Sequence, residues 1–183
     1  MNKLRSLAVL IFFHHAAASM LLAQQPPEKL PLEIELTKFR VEPLAAPGGT
    51  KPWLRLLCDF KVAPAWADGI VFHYDVLVRK GEESRVLSGT ARYTNVKRGA
   101  HTAVLYMSAG AFERFGAPIA ANVRSIYKDE PSGEIAWVAS GGGKPPENWM
   151  TQFQRYPSQL LPIIATPFVV SEYGKYPDVL VVQ

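Results

Sequence analysis

The chain has 183 residues, of which 48% are hydrophobic and 20% charged, a composition typical of a globular domain and not of a disordered segment. Its 20 basic and 16 acidic residues give a formal net charge of +4. Cys58 is the only cysteine, which excludes an intrachain disulfide, and a chain of this length buries a core large enough to fold without one.

Residues 1–23 have the pattern of an export signal. Two basic residues begin it, a continuous apolar run follows at 7–13, and small residues suited to signal peptidase come next. Cleavage after Ala18 fits an Ala-x-Ala site, and cleavage after Ala23 is the alternative, weakened by Leu21 at the third position before the bond. An uncleaved membrane anchor is the alternative, and two histidines in the middle of its span disfavour it.

Removal of this leader lowers the charge of the chain. Lys3 and Arg5 are its only charged residues, so the mature charge is 18 minus 16, or +2. A charge this small does not predict a nucleic-acid binder. We therefore expect an exported protein that is periplasmic, outer-membrane-associated or extracellular, with no transmembrane anchor after cleavage.

The first strand follows a flexible, proline-rich lead-in at 24–31 and opens a domain predicted at 32–140. Apolar and acidic residues alternate at 32–36, which is the pattern of a half-buried strand. The alternation then slips by one residue, and this predicts a β-bulge near Thr37 and Lys38.

The stretch 53–80 predicts two long strands that form a hairpin. The turn at 63–69 ends in Asp-Gly, a strong reversal signal. Alternation places Cys58 on the apolar face of the first strand, which favours a small buried hydrophobe over the alternative of a reactive thiol. The second strand, 70–79, has apolar residues on both faces and is therefore expected to be central.

Further strands complete a seven-strand pattern. They are predicted at 85–96, 101–107, 118–128 and 135–139. The strand at 85–96 is the poorest in apolar residues, as an edge strand would be. In the strand at 118–128, Ile119 and Ala121 are expected to share one face. Ser108 is expected to cap a short helix that Gly116 ends. Strands separated by frequent turns predict an antiparallel β-sandwich.

The C-terminal part, 141–183, differs in kind. A short helix is predicted at 147–156, with Trp149 and Phe153 on one side. The apolar tail that follows is interrupted by prolines, and exposed it would aggregate. We expect it to pack back across the sandwich, with 179–182 as a last strand.

Sequence motifs for known chemistries are missing. His73, His101 and Cys58 do not have zinc-ligand spacing, and no phosphate-binding loop precedes a long helix. No G-x-S-x-G motif marks a nucleophilic serine. We predict no metal, no cofactor and no enzymatic activity. A hydrolase with a Ser-His-Asp triad built from distant residues is the alternative.

The stretch 79–98 carries a local charge of +4, because it contains six basic and two acidic residues. One interpretation is a binding surface for an acidic polymer, such as a sulfated or sialylated glycan or a membrane surface. The other is protection of an edge strand against pairing with another chain. The basic residues are Arg79, Lys80, Arg85, Arg92, Lys97 and Arg98.

Aromatic residues form a second group of candidates. Trp66 lies in the predicted turn at 63–69, and the others follow in the C-terminal part at Trp149, Tyr156, Tyr173 and Tyr176. Exposed aromatic rings stack on sugars or anchor protein interfaces. Alternatively, these rings attach their own segments to the core.

A run of motifs in the C-terminal part carries a resemblance. It consists of Asn148-Trp149, Arg155-Tyr156-Pro157, Leu160-Leu161, Thr166-Pro167-Phe168, Tyr173 and Tyr176. After a signal peptide and seven strands, this run resembles small exported immunoglobulin-like proteins associated with gene clusters for type IV pilus-like machinery and outer-membrane assembly in glycan-dwelling bacteria.

The resemblance implies an immunoglobulin or fibronectin-III-like fold, a role at the cell surface and no catalytic residues to carry over. The Cys…Trp…Cys core of antibody domains is missing here. We expect an exported, non-enzymatic binding or scaffolding module of the cell envelope, with an envelope or pilus-like protein as its partner. A carbohydrate-binding module for acidic glycans is the alternative.

Overall fold

The computed structural model describes residues 32–45, 51–141 and 143–172. The elements in these ranges are β1 Glu33–Ala45, β2 Pro52–Ala63, β3 Ile70–Lys80, β4 Glu83–Tyr93, β5 Gly99–Met107, α1 Ala109–Phe115, β6 Ala117–Tyr127, β7 Glu130–Val138, α2 Trp149–Gln152, β8 Arg155–Tyr156, β9 Leu160–Leu161, a 3-10 turn Ile163–Ala165 and α3 Val169–Glu172. The predicted leader and lead-in, 1–31, and the predicted last strand, 179–182, lie outside the described residues.

The strands form two sheets that face each other. The first sheet has the order β1-β2-β5-β9, and the second has the order β7-β6-β3-β4-β8. The pairs among β1 to β7 are antiparallel, whereas the short β8 runs parallel to β4. When the two-residue strands β8 and β9 are left aside, the first sheet has three strands and the second has four. This confirms the predicted immunoglobulin/fibronectin-III-like sandwich, and β3 is central as predicted.

The core lies between β2 and β3, whose alternating apolar side chains face each other. The Phe60 and Phe72 ring centroids are 4.8 Å apart, and the Tyr93 ring meets Phe72 edge-on at 5.4 Å. All three rings are buried. Burial of one such side chain stabilises the fold by about 1.5–3 kcal/mol, so β2, β3 and β4, which carry these rings, contribute strongly to its stability.

The predicted hairpin between β2 and β3 is wrong. β2 pairs with β1 and β5 in the first sheet, whereas β3 pairs with β4 and β6 in the second. The connection at 64–69 crosses between the sheets, and its Ala67 pairs with Val96. Two paired strands would turn their apolar faces the same way. Two faces this apolar bury each other when they pack across a sandwich.

Two local predictions are confirmed. The register of β1 and β2 shifts between Leu36 and Lys38, which is the expected bulge. The Ser108 hydroxyl accepts a hydrogen bond from the Ala111 N–H at 3.1 Å and caps α1. Gly116 ends this helix with a φ of 88°, a left-handed conformation that favours glycine.

The predicted common face of Ile119 and Ala121 is wrong, because Ala121 lies in the core and Ile119 does not. The register of β3 and β6 shifts between Leu77 and Val78, opposite Ile119. An extra residue at a bulge reverses the alternation of faces. Ile119 therefore packs with Leu77, Val86 and Trp149 on the outer face of the second sheet.

Residues 149–172, here called the strap, wrap around one side of the sandwich. The strap begins with Trp149 on the outer face of the second sheet, and then β8 pairs with β4 and β9 pairs with β5. It ends on the outer face of the first sheet, where Phe168 stacks on Tyr106 with ring centroids 5.8 Å apart. This confirms the predicted C-terminal segment packed across the sandwich.

The predicted helix at 147–156 is shorter than expected. α2 ends at Gln152 because Phe153 is extended and the residues after it pair with β4. None of the helices in the described ranges has the length and apolar character of a membrane span.

The strap enters the core at Leu160, which is buried between the two sheets. Gly89 of β4 makes room for it, since a Cβ atom at Gly89 would lie 2.6 Å from Leu160 Cβ and 2.8 Å from the Leu160 carbonyl oxygen. Four residues farther along β4, the Tyr93 hydroxyl accepts a hydrogen bond from the Val104 N–H at 2.7 Å. The strap and the hydrogen bond between Tyr93 and Val104 thus close the side of the sandwich where β4 and β5 meet.

Candidate partner-binding surfaces

The connection at 64–69 is held against the turn between β4 and β5. Ala67 and Val96 exchange two backbone hydrogen bonds of 2.8 Å, and both residues are buried. The Asn95 N–H also donates to Asp68 Oδ1 at 3.1 Å. These contacts join two turns into one surface at this end of the sandwich.

Trp66 is the most prominent residue of that surface, because its side chain is 60% exposed. Lys97 and Arg98 are exposed as well. Since Trp66 precedes Ala67 and Lys97 follows Val96, the pairing of the two turns brings an aromatic ring and two cations to the same end. We call Trp66, Asn95, Lys97 and Arg98 the end patch. The sequence had marked three of these residues, but in two separate groups.

The rest of the basic stretch does not join the end patch as one surface. Arg85 and Arg92 are seven positions apart in β4, which corresponds to roughly 23 Å along a strand. An odd spacing also puts them on opposite faces of the sheet. Arg92 is exposed on the outer face, whereas Arg85 lies near the other end of the strand.

Arg85 and Arg79 make contacts of their own at that other end. Arg85 pairs with Glu83 at 2.9 Å, and its guanidinium carbon lies 5.8 Å from the centre of the Tyr156 ring. Arg79 Nε donates to Ser84 Oγ at 3.4 Å. These two arginines therefore belong to the turn between β3 and β4.

The C-terminal aromatic candidates are not a common surface either. Trp149 is buried in the apolar cluster on the outer face of the second sheet, so its proposed role as an exposed partner-binding residue is wrong. Tyr156 is half-buried, with its ring centre 5.0 Å from that of Phe115. Tyr173 and Tyr176 lie outside the described residues.

A polar cluster on the outer face of the second sheet was missed by the sequence analysis. Asp75 is 2% exposed and accepts a hydrogen bond from Ser88 Oγ at 2.8 Å. Two guanidinium groups pair with the same carboxylate, Arg124 Nη2 at 3.1 Å and Arg155 Nη1 at 3.0 Å. The only sequence signal for this cluster is an acidic residue in a central strand, where unpaired charge is rare.

His73 lies beside Asp75 on the same face, and its Nδ1 is 3.1 Å from Thr90 Oγ1. Burial lowers the pKa of His73, the nearby Arg124 lowers it further, and Asp75 opposes both effects. In a Ser-His-Asp triad the histidine links the hydroxyl to the carboxylate. Here Ser88 donates to Asp75 directly, so these residues do not have the geometry of a triad.

Cys58 faces the core and is fully buried, as the alternation of β2 predicted. Burial raises the pKa of its thiol to about 12, and the neighbouring Asp59 adds to this effect. A thiol that stays protonated is a poor nucleophile and a poor metal ligand. Among the residues that the structure describes, no three His, Cys, Asp or Glu side chains come together as a metal site.

The fold is an immunoglobulin-like β-sandwich, and its described residues include the end patch and a cluster in which two half-exposed arginines pair with the buried Asp75. The chain matches no protein-family profile. No curated protein matches it. Among solved structures, a crystal structure from Akkermansia muciniphila is similar, with a TM-score of 0.66 and 19% sequence identity over 84% of this chain and 95% of that chain. This likeness supports the fold.

Proposed function

We propose that this protein is an exported, non-enzymatic binding or scaffolding module of the cell envelope, associated with a pilus-like assembly. The single observation that carries the proposal is the 60% exposure of Trp66 in a turn that other residues hold in place. The export pattern of residues 1–23 and the pilus-related resemblance of the C-terminal motifs support the location and the kind of partner.

The end patch has the chemistry of an interface centre. Tryptophan and arginine are the residues that contribute most often to binding energy at protein interfaces, and Trp66 and Arg98 supply one of each. The hydrogen bonds between Ala67 and Val96 order the turn before any partner arrives. Binding then loses less conformational entropy than it would from a flexible loop.

Cell fractionation followed by affinity capture tests this function. The mature protein is immobilised and exposed to an envelope extract, and the retained proteins are identified by mass spectrometry. We expect pilus-like components to be retained by the parent protein and lost with Trp66→Ala. Val170→Ala is the control, because Val170 is also an exposed apolar residue. Equal retention by the parent and Trp66→Ala would disprove the role of the end patch.

Acidic-glycan binding is the second candidate function, and the adjacency of Lys97 and Arg98 to Trp66 favours it. Cations beside an exposed aromatic ring suit a sugar chain that carries negative groups. The double variant Lys97→Glu, Arg98→Glu should elute earlier from a heparin column than the double variant Lys38→Glu, Lys61→Glu, which has the same change in charge. Equal elution of the two variants would exclude this site.

A further inference from the structure

The outward side chains of the second sheet form rows across its strands. One row contains Thr90, His73, Arg124 and Glu134 from β4, β3, β6 and β7, and the next row contains Ser88, Asp75, Asn122 and Ala136. Farther along the same face, the strap covers the sheet with Trp149. Among the described residues no such apolar cluster covers the polar rows, and we call these rows, together with Arg155, the open face.

Asp75 organises the positive charge of the open face. Its side chain is 3% exposed, whereas the side chains of Arg124 and Arg155 are 50% and 44% exposed. One buried carboxylate therefore holds two guanidinium groups whose remaining surface meets solvent. With Arg92 and Glu134 included, three guanidinium groups on this face accompany two carboxylates, which leaves an excess of positive charge.

Arg124 has hydrogen-bonding capacity to spare. It uses Nη2 for Asp75, and within the described ranges its Nε and Nη1 have no hydrogen-bond partner. Arg155 uses Nη1 for Asp75 and Nη2 for the Met150 carbonyl oxygen at 3.3 Å. The planar guanidinium group fits a carboxylate or sulfate with two parallel hydrogen bonds, and Asp75 takes only one nitrogen of Arg124.

A cavity of about 490 Å³ lies next to Arg124. His73 and Glu134 line it with polar groups, and Ile126 and Pro131 line it with apolar surface. Its volume is in the range of small-ligand sites. A sugar ring offers the matching combination of hydroxyl groups and an apolar face, which an isolated anion does not.

Asn122 of the open face has an unused hydrogen-bond acceptor. It is 7% exposed, and its Nδ2 donates to Glu134 Oε1 at 2.7 Å. Its Oδ1 is buried and has no partner among the described residues. Buried acceptors in native proteins nearly always receive a hydrogen bond, so this oxygen is an unused acceptor in the row next to Arg124.

We infer that the open face is a second binding site, in which Arg124 and Arg155 bind the carboxylate or sulfate group of an acidic sugar chain and Asp75 positions both arginines. This inference goes beyond the proposed function because it depends on Arg124, Arg155 and Asp75 and not on Trp66. The inference is tested with purified components. If the open face binds no acidic sugar, the proposed capture of envelope proteins through Trp66 is unaffected.

Isothermal titration calorimetry with the mature protein tests the site. The probes are oligogalacturonate for the carboxylate, a heparin oligosaccharide for the sulfate, a neutral cello-oligosaccharide and an oligoglutamate peptide. We expect at least one acidic sugar to bind, and Arg124→Gln to weaken it about tenfold or more, because a charge-assisted contact is lost. Arg114→Gln, an exposed arginine on α1, is the matched control and should bind like the parent.

Several results would overturn the inference. They are no binding of either acidic sugar, equal binding of the neutral sugar, and unchanged affinity in Arg124→Gln. Oligoglutamate binding as tight as that of the sugars would assign the face to an acidic peptide instead. Loss of binding in Lys97→Glu, Arg98→Glu but not in Arg124→Gln would place the sugar on the end patch.

Asp75→Asn separates positioning from simple charge attraction. This change makes the protein more positive, so charge alone predicts tighter binding of an acidic sugar. The positioning role predicts weaker binding, because Arg124 and Arg155 lose the group that orients them. Tighter binding in Asp75→Asn would overturn the role assigned to Asp75.

Discussion

Each outer face of the sandwich holds one buried carboxylate that ties the strap to a sheet, but the two contacts are built in opposite ways. On the first sheet the strap supplies the acid, Glu172, and the sheet supplies Arg55 at 2.8 Å and the Tyr106 hydroxyl at 3.3 Å. On the second sheet the sheet supplies the acid, Asp75, and the strap supplies Arg155.

The exposure of the cations separates the two contacts. Arg55 is 17% exposed beside Glu172 at 3%, so both charges are largely removed from water. Arg155 and Arg124 keep about half of their side-chain surface in solvent around Asp75. A pair that hides both charges serves to attach the strap. A pair that hides only the acid also presents cations to a ligand.

The largest expected effect comes from breaking the hidden pair with Glu172→Gln. Breaking a buried ion pair costs about 3–5 kcal/mol, and we expect roughly 3 kcal/mol because Arg55 also pairs with Glu42. Urea unfolding should show this loss, whereas Glu130→Gln, an exposed glutamate on β7, should leave the free energy of unfolding unchanged. Equal stability of the two variants would contradict a structural role for Glu172.

Gly89→Ala tests the strap where it passes from one face to the other. The added methyl group meets Leu160 backbone and side-chain atoms, and overpacking of this kind costs about 1–3 kcal/mol. Thermal unfolding should show the loss. Gly110→Ala on α1 is the control, because its methyl group meets no atom within 4 Å and alanine favours a helix. Gly89→Ala as stable as the parent would mean that Leu160 is not inserted there.

Asp75→Asn should destabilise the fold less than Glu172→Gln. Arg124 and Arg155 can regain water when the carboxylate charge is removed, so we expect a loss of about 1 kcal/mol, the scale of one hydrogen bond. The same urea experiment measures it. A loss equal to that of Glu172→Gln would show that the open face is as structural as the opposite one.

The smallest effect concerns His73. Its pKa is lowered in the folded protein from the ordinary value of 6.5, so the unfolded chain binds its proton more readily. Stability should therefore fall as the pH drops below 6.5 toward the lowered pKa, and should not respond to His73 at higher pH. His73→Gln should have a shallower fall in urea midpoint over that range. Parallel pH profiles for the two proteins would refute this.

The local sequence pattern predicted the buried face of β2 but not that of β6, where a bulge turns Ile119 outward. It identified the inward face of β2 with Cys58, the bulge near Lys38 and the helix cap at Ser108, because these depend on neighbours in sequence. It could not say which strand pairs with which. The pattern of β2 and β3 fits a hairpin as well as two facing sheets, and only the packing of Phe60 on Phe72 distinguishes them.

The candidate sites were predictable only to the same extent: the sequence identified residue types but not which residues lie close together. Trp66 and the cations of the end patch were identified as residue types, but their adjacency depends on the pairing of Ala67 with Val96. The open face was invisible because Asp75, Arg124 and Arg155 come from β3, β6 and the strap. The periodicity of the sequence predicts which face of a strand a side chain lies on, but it does not predict which distant strands are neighbours in a sheet.

The contact between Arg55 and Glu172 joins residues 117 positions apart, which has a consequence for the order of events during synthesis. The first sheet can form as soon as β5 has left the ribosome, yet its outer face keeps Leu57, Val104 and Tyr106 uncovered until the strap arrives. Native closure must wait for that late segment.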